Sequence, residues 1–324
     1  MKRIIKNLIC LLMLCMMLAG LSGVASAQDT ISVILDGKKL TFEDQNPLIL
    51  EDRTLVPFRG ILEAMGVTVS WEGSTRTVTA VRDDITVQLT IDDPVMYKNG
   101  EAITLDVPAQ IVGSRTMVPA RAVSESFGAD VSWNPTLRNV VISTDEVLNK
   151  ALKDLFSVKK MAWSGQVDFT YNGVPVAATS IIALDYEAQL EVSGFTIDIA
   201  DNKTSSTIVT GKEKTYVDTD GKVTEEATPA DWEPSMIFEP GTAFAFKTEE
   251  AGERLYQLVH GSSEDIKLEI VVDAGTAQVK KVNIPKKELG IFLNLPTATY
   301  TEDLEGELVF GSDEALKLWK QYNK

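Results

Sequence analysis

Thiols and imidazoles are scarce in this chain, which has two cysteines and one histidine. Cys10 and Cys15 both lie in an apolar N-terminal stretch, so the rest of the chain has no thiol. That remainder can form neither a disulfide nor a thiolate metal site. His260 has no cysteine to pair with as a metal ligand. We therefore expect no metal site.

Motifs for catalysis and cofactor binding are also missing, because no Gly-x-Ser-x-Gly, His-Glu-x-x-His or phosphate-loop pattern occurs. The acidic segment 218–226 resembles a calcium loop at first sight. Its Gly221 stands fourth, however, whereas an EF-hand loop requires glycine at the sixth position and glutamate at the twelfth. We interpret this segment as a β-hairpin turn. We expect no catalytic residue and no cofactor, and an enzyme with an unrecognised site is the remaining alternative.

Positive charge is in short supply, with 31 lysines and arginines against 47 aspartates and glutamates. The resulting net charge of −16 repels nucleic acid and anionic membranes. We therefore expect no nucleic-acid partner. Hydrophobic residues make up 44% of the chain, which is enough for packed cores and argues against general disorder.

The N-terminus has the pattern of a secretory signal peptide. Lys2, Arg3 and Lys6 precede an uncharged apolar run, and Ala25-Ser26-Ala27 follows as a small-x-small cleavage site. An uncleaved membrane anchor is the alternative, but the run is at the short limit for a bilayer span. We expect residues 1–27 to be removed, leaving a protein that is secreted or associated with the cell wall. It would then meet the membrane only transiently, through this peptide.

An internal duplication organises the region that follows. Residues 53–81 align without a gap on residues 115–143, at an offset of 62 positions. Chance does not produce so dense a match, and a repeat of this kind indicates two copies of one structural unit. The identical pairs include Arg53/Arg115, Pro57/Pro119, Arg59/Arg121, Glu63/Glu125, Gly66/Gly128 and Trp71/Trp133.

Each copy predicts a short helix followed by a hairpin. A proline stands where a first helical turn begins, and a glycine follows two turns later, where a left-handed C-cap is favoured. Alternating apolar and polar residues then predict two strands joined by a turn. Upstream of each copy, Asp36-Gly37 and Asn99-Gly100 predict tight turns of further hairpins.

Four residues of the repeats are candidates for binding: Arg59, Trp71, Arg121 and Trp133. Each arginine stands four residues before a glutamate on its helix, a spacing that also fits a simple ion pair of little energetic weight. Each tryptophan could offer a flat ring to a carbohydrate, although a strand tryptophan beside a helix more often packs into the core. Both interpretations stay open for each residue type.

The pattern T-L-V-P-x-R-x-x-x-E-x-x-G-x-x-V-x-W resembles the copper amine oxidase N-terminal-like domain, also called the stalk domain. The resemblance covers about residues 30–145 and both copies. It implies an envelope-exposed structural or binding module of Gram-positive bacteria, named after a non-catalytic region. Oxidase activity in that family requires three histidines on copper and a tyrosine in an Asn-Tyr context. This chain has one histidine and no Asn-Tyr pair, so we expect no enzyme.

The remaining sequence predicts a second domain rich in strands. A helix is expected just after Ser143, capped by Thr144 or Asp145, with long alternating segments from residue 161 onward. We also predict helices at about 248–259 and 313–322, with His260 at the end of the first. The fold class is therefore α+β: a duplicated β-rich module with short helices, then a domain with a large antiparallel sheet and few helices. The domains are 1–27 (signal peptide), 28–145 (stalk) and 146–324 (β-rich, of unknown function).

Two functions compete on this evidence. The first is a non-enzymatic cell-envelope module that acts structurally or binds wall polymer or a protein partner. The second follows from the layout of the C-terminal domain, which is similar to lipoprotein-carrier-like half-barrels. That resemblance implies a carrier or sensor of hydrophobic ligands, with an apolar ligand on the curved sheet. A packed core without a cavity is the alternative there.

Overall fold

The computed structural model describes residues 30–135, 137–171, 173–199, 202–230, 241–260, 268–284, 299–300, 304–310 and 312–322. The predicted signal peptide at 1–27 lies outside the described residues. Within them the protein is rich in β-strands, with short helices and several sheets, in agreement with an α+β layout. No described helix is long and apolar enough to cross a bilayer.

The repeat region alternates short strands with two helices. Its strands are β1 (Ser32–Leu35), β2 (Lys38–Leu40), β3 (Leu48–Leu50), β4 (Arg53–Pro57), β5 (Thr68–Glu72), β6 (Thr77–Arg82), β7 (Ile85–Thr90), β8 (Val95–Lys98), β9 (Glu101–Thr104), β10 (Gln110–Val112), β11 (Arg115–Pro119), β12 (Asp130–Asn134) and β13 (Asn139–Ser143). Its helices are α1 (Phe58–Ala64) and α2 (Ala120–Ser126).

These strands form three sheets. The first-repeat sheet has the order β5-β6-β7-β8-β9, the second-repeat sheet β12-β13-β1-β2, and the central sheet β10-β11-β4-β3. Strand β1 pairs in parallel with β13, so the start of the region closes onto its end. The predicted turns are present, with positive φ angles at Asp36, Gly37, Asn99 and Gly100.

The two copies meet across a local two-fold axis in the central sheet. Strands β4 and β11 are equivalent in the repeat and pair antiparallel, with Val56 opposite Val118. Since these two valines are themselves equivalent, the axis passes between them. Both are buried in one core cluster that α1 and α2 also enter. Gly66 and Gly128 follow the helices with φ of 76° and 82°, which confirms the predicted left-handed helix ends.

From residue 146 onward, the described residues form one large sheet and two helices. The helices are α3 (Glu146–Ser157) and α4 (Glu314–Tyr322). The strands are β14 (Lys160–Tyr171), β15 (Val174–Asp185), β16 (Leu190–Ile199), β17 (Asn202–Thr210), β18 (Lys214–Thr219), β19 (Lys222–Ala227), β20 (Ala243–Glu250), β21 (Glu253–His260), β22 (Glu269–Asp273), β23 (Val279–Ile284), β24 (Thr299–Tyr300) and β25 (Leu304–Phe310). Their order is β19-β18-β17-β16-β15-β14-β25-β23-β22-β21-β20, with β24 beside β14.

The predicted helix at about 248–259 is wrong. The segment forms the hairpin of β20 and β21, which turns at Ala251 and Gly252 with φ of 51° and 80°. Strand β21 also pairs with β22 along Glu253–Gln257. These non-local hydrogen bonds outweigh the helical preference of a segment rich in glutamate and leucine. His260 accordingly ends a strand and not a helix.

In the part of the chain that the structure describes, one helix packs on each face of the large sheet. Helix α3 packs through Leu148, Ala151 and Leu155 on a cluster that includes Met161 and Trp163 of β14. Helix α4 packs through Ala315, Leu316 and Trp319 on the other face, where Ala183 of β15 and Val209 of β17 are buried. Alternate residues of one strand enter the two clusters, as the two-residue period of a strand requires.

Candidate functional site

The arginines of the repeats lie on the exposed surface of their helices. The Nε atom of Arg59 is 3.6 Å from Oε1 of Glu63, and Arg121 lies at the same distance from Glu125. Both arginine side chains are more than half exposed. The ion-pair interpretation therefore describes the geometry of both pairs, and each guanidinium remains open to solvent.

The two tryptophans differ, although they are equivalent in sequence. Trp133 is partly buried and packs against the core of the repeat region. Trp71 is 42% exposed on the edge strand β5, so the core interpretation is wrong for this residue. Trp71 is thus the candidate that presents an apolar ring to solvent.

A site that the sequence did not predict lies where the repeat region meets the large sheet. It is an open cleft of about 490 Å³. Its lining combines acidic, aromatic and apolar side chains: Asp36, Thr144, Asp145, Glu146, Val147, Leu148, Phe244, Phe246, Arg254 and Tyr256. A strand interpretation of 253–260 would have placed Arg254 and Tyr256 on one face, because they are two residues apart.

Asp145 is the centre of this cleft. Its Oδ1 atom accepts hydrogen bonds from the backbone N–H groups of Val147 and Leu148, both at 3.0 Å, and so caps α3 as predicted. The same carboxylate accepts the hydroxyl of Tyr256 at 2.9 Å and faces Arg254 Nη1 at 3.3 Å. One residue therefore ties the start of α3 to strand β21.

Arg254 and Tyr256 have further interactions in this cleft. Arg254 Nε lies 2.7 Å from Glu249 Oε2, and its guanidinium lies 6.0 Å from the ring centre of Phe246. Burial raises the pKa of Tyr256 well above its usual range, so its hydroxyl keeps its proton and donates to Asp145. The hydrogen bond with Tyr256 and the contact with Glu249 raise the pKa of Arg254 above the usual value for an arginine. Paired charges in this cleft thus connect the repeat region and α3 to the large sheet, and we call this contact the joint.

The joint continues into a close contact between the repeat region and β20. Ile34, Val141 and Ala243 form a small buried cluster. A Cβ atom on Gly37 would lie 2.6 Å from Cβ of Ala245, and one on Gly241 would lie 2.8 Å from the backbone nitrogen of Asn134. Both glycines have positive φ, so the approach depends on their lack of a side chain.

Asp36 supports the same joint from the repeat region. Its carboxylate accepts the backbone N–H of Thr144 at 2.7 Å and the Thr144 hydroxyl at 2.8 Å. The Asp36-Gly37 turn is therefore fixed both to the residue that precedes the Asp145 cap and to strand β20.

Among the residues that the structure describes, no three histidine, cysteine, aspartate or glutamate side chains gather as a metal site would need. Asp145 in the cleft faces Arg254, which also pairs with Glu249.

The comparison with protein families agrees with the repeat architecture. Residues 34–142 match the family model described as the copper amine oxidase N-terminal domain. No curated protein matches the chain. The matched segment spans both repeats and ends just before α3, and it does not include the catalytic domain of an oxidase. Residues 34–142 of this chain are therefore similar to the copper amine oxidase N-terminal domain, the family that the two repeats resemble.

Proposed function

We propose that the protein is a secreted, non-enzymatic module of the cell envelope that binds wall polymer through its repeat region. The observation that carries this proposal is the match of residues 34–142 to a domain type that is non-catalytic and stalk-like. A protein partner in the envelope is the alternative ligand.

The arrangement of the repeats supports a division of labour. The second repeat packs on β20 of the large sheet through Ile34, Val141 and Ala243. The first repeat presents Trp71 and Arg59 to solvent. One copy would thus hold the rest of the protein while the other faces a ligand. Wall polymers offer sugar rings and acidic groups, which match an indole ring and a guanidinium respectively.

Co-sedimentation with purified cell-wall sacculi tests the proposal. The protein without residues 1–27 should pellet with sacculi at physiological salt, and Trp71→Ala should reduce the pelleted fraction. Val309→Ala is the matched control, because Val309 is an apolar residue of the large sheet with 52% exposure. This control should pellet like the parent protein.

A parent protein that stays in the supernatant would rule out wall-polymer binding. Equal pelleting of the parent and Trp71→Ala would exclude Trp71 as a contact while leaving wall binding in place. The hydrophobic-carrier function stays a prediction. Its supposed binding face buries the described side chains of Val167, Phe169, Phe195 and Ile197, so no observation here favours it.

A further inference from the structure

The outward face of the second-repeat sheet is already an interface. Ile34 and Val141 on this face are buried against Ala243 of the large sheet. Asn134 and Asn139, also on this face, are at most 1% exposed. The repeat therefore includes a sheet face that can pack against another part of the protein or a partner.

The equivalent face of the first-repeat sheet is uncovered. Its opposite face is in the core, with Val78, Ala80, Val87 and Leu89 buried. Because side chains alternate along a strand, the intervening residues point outward. These outward residues are Thr68, Ser70, Glu72, Thr77, Thr79, Val81, Thr86, Gln88, Thr90, Val95, Tyr97, Ala102 and Thr104. We call them the hydroxyl face.

The hydroxyl face differs in chemistry from the covered face of the second-repeat sheet. Thr79 stands where the second repeat has Val141. Tyr97 has the position in the β8–β9 hairpin that Ile34 has in the β1–β2 hairpin, although β7 lies between β6 and β8 whereas β1 pairs directly with β13. Tyr97 is 44% exposed. Throughout 68–104, all of which the structure describes, Glu72 is the one charged residue on this face, although 24% of the chain is charged.

Hydrogen bonds between side chains position three of these hydroxyls. Thr77 Oγ1 lies 3.0 Å from Thr90 Oγ1 across neighbouring strands, and Gln88 Nε2 donates to Thr79 Oγ1 at 3.3 Å. Thr79 therefore keeps its own hydroxyl hydrogen for an outside acceptor. Short β-branched side chains on a paired sheet lose little conformational entropy when they bind.

We propose that the hydroxyl face binds an uncharged stretch of a glycan chain, an assignment that rests on the proposed wall-polymer function. The threonine hydroxyls and the Gln88 amide exchange hydrogen bonds with sugar hydroxyls, and the Tyr97 ring covers the apolar face of one sugar. Lack of charge suits this ligand, because sugar hydroxyls cannot compensate a desolvated ion as well as water does. A face whose one charged residue is Glu72 gives a charged peptide little to form ion pairs with.

Thr79→Val and Tyr97→Ala, singly and together, test the assignment. Thr79→Val deletes one hydroxyl at nearly constant volume and restores the residue found in the second repeat. The probes are purified sacculi and insoluble chitin, an uncharged N-acetylglucosamine polymer. Each single variant should weaken retention on both probes about fivefold to tenfold, the factor that the loss of one or two net hydrogen bonds or of one ring contact produces, and the double variant should weaken it more.

Thr224→Val is the matched control, since Thr224 is an exposed threonine on the edge strand β19. It should bind both probes like the parent, and all variants should keep the parent's urea-unfolding midpoint. Should the parent bind sacculi while Thr79→Val and Tyr97→Ala bind equally well, the hydroxyl face is not the site, but the proposed function stands. A parent retained on sacculi and not on chitin would overturn the uncharged-glycan assignment. A parent retained on neither probe would overturn both proposals.

Discussion

Asp145 shows how one side chain can serve two elements. It caps α3 and accepts the hydroxyl of Tyr256 from a strand more than a hundred positions later in the chain. The first role is local, and a short polar residue before an apolar periodic segment predicts it. The second role depends on where β21 lies, which no local pattern indicates.

Replacing Asp145 with alanine should lower the free energy of unfolding by about 2–4 kcal/mol. A lost N-cap accounts for about 1 kcal/mol, and the loss of a charged acceptor for Tyr256 and Arg254 accounts for the rest. Urea unfolding measures the change. Asp154→Ala is the control on the same helix, where the exposed pair with Lys150 predicts a change within about 0.5 kcal/mol. Equal effects of the two substitutions would show that the joint adds nothing to stability.

The arginines of the repeat helices should add little to stability. Arginine precedes glutamate in both pairs, the less favourable orientation relative to the helix dipole, and both partners are about half exposed. Double-mutant cycles at Arg59/Glu63 and Arg121/Glu125 should give coupling energies below about 0.5 kcal/mol. A coupling above about 1 kcal/mol at one pair would contradict the view that both are ordinary surface pairs.

At the scale of elements, the hairpin of β20 and β21 shows where local sequence reasoning fails. The segment 247–258 has the composition of an exposed helix, with glutamates, a lysine, an arginine and two leucines. Its Ala251-Gly252 pair is a turn signal that competes with that pattern. Pairing with β22 decides between them. Glu249 and Glu250 then stand on the edge strand β20, where charge discourages further strand addition.

Helix α4 is attached to the large sheet by contacts that depend on pH. Trp319 and Tyr322 both pack on Tyr216 of β18, and the Tyr322 hydroxyl donates to Asp218 at 2.8 Å. Burial, followed by the hydrogen bond to Asp218, raises the pKa of Tyr322 from 10.0 to about 12. The folded state therefore binds this proton more tightly than the unfolded chain does.

The contribution of the Tyr322 proton to stability should be complete below pH 10 and should decline as the pH rises toward 12. Tyrosinate absorbance of the folded protein should show a phenol that titrates late, and Tyr322→Phe should remove that phase. Stability of Tyr322→Phe should also depend less steeply on pH between 10 and 12. A titration of the parent without a late phase attributable to Tyr322 would contradict this account.

At the scale of the whole molecule, the contact between the repeat region and the large sheet depends on Gly37. Its turn is equivalent to the Asn99-Gly100 turn of the other hairpin, and both glycines have φ near 80°. A Cβ on Gly37 would meet Ala245, whereas a Cβ on Gly100 would meet nothing within 4 Å. Comparing alanine substitutions at the two glycines therefore separates the cost of backbone strain from the cost of disturbing the contact with β20.

Gly100→Ala should cost about 1–2 kcal/mol of unfolding free energy, the strain of a left-handed alanine. Gly37→Ala should cost about 1–3 kcal/mol more, because the added methyl group pushes against β20. Urea unfolding measures both, and limited proteolysis should cleave Gly37→Ala faster near residues 241–245. Equal costs for the two alanines would mean that the contact at Ala245 is easily displaced.

The sequence by itself determined the repeat, its helix and hairpin pattern, the Gly66 and Gly128 helix ends, a cap at Thr144 or Asp145 and the family resemblance of residues 34–142. These features follow from spacing and from local backbone preference, which act over a few residues. Tertiary structure alone decided that Trp71 is exposed while Trp133 is partly buried. It also decided that 253–260 is a strand and that one repeat face is covered while its equivalent is free. The reason is physical: equivalent sequences have the same local energies, and only contacts between distant segments can make their surroundings differ.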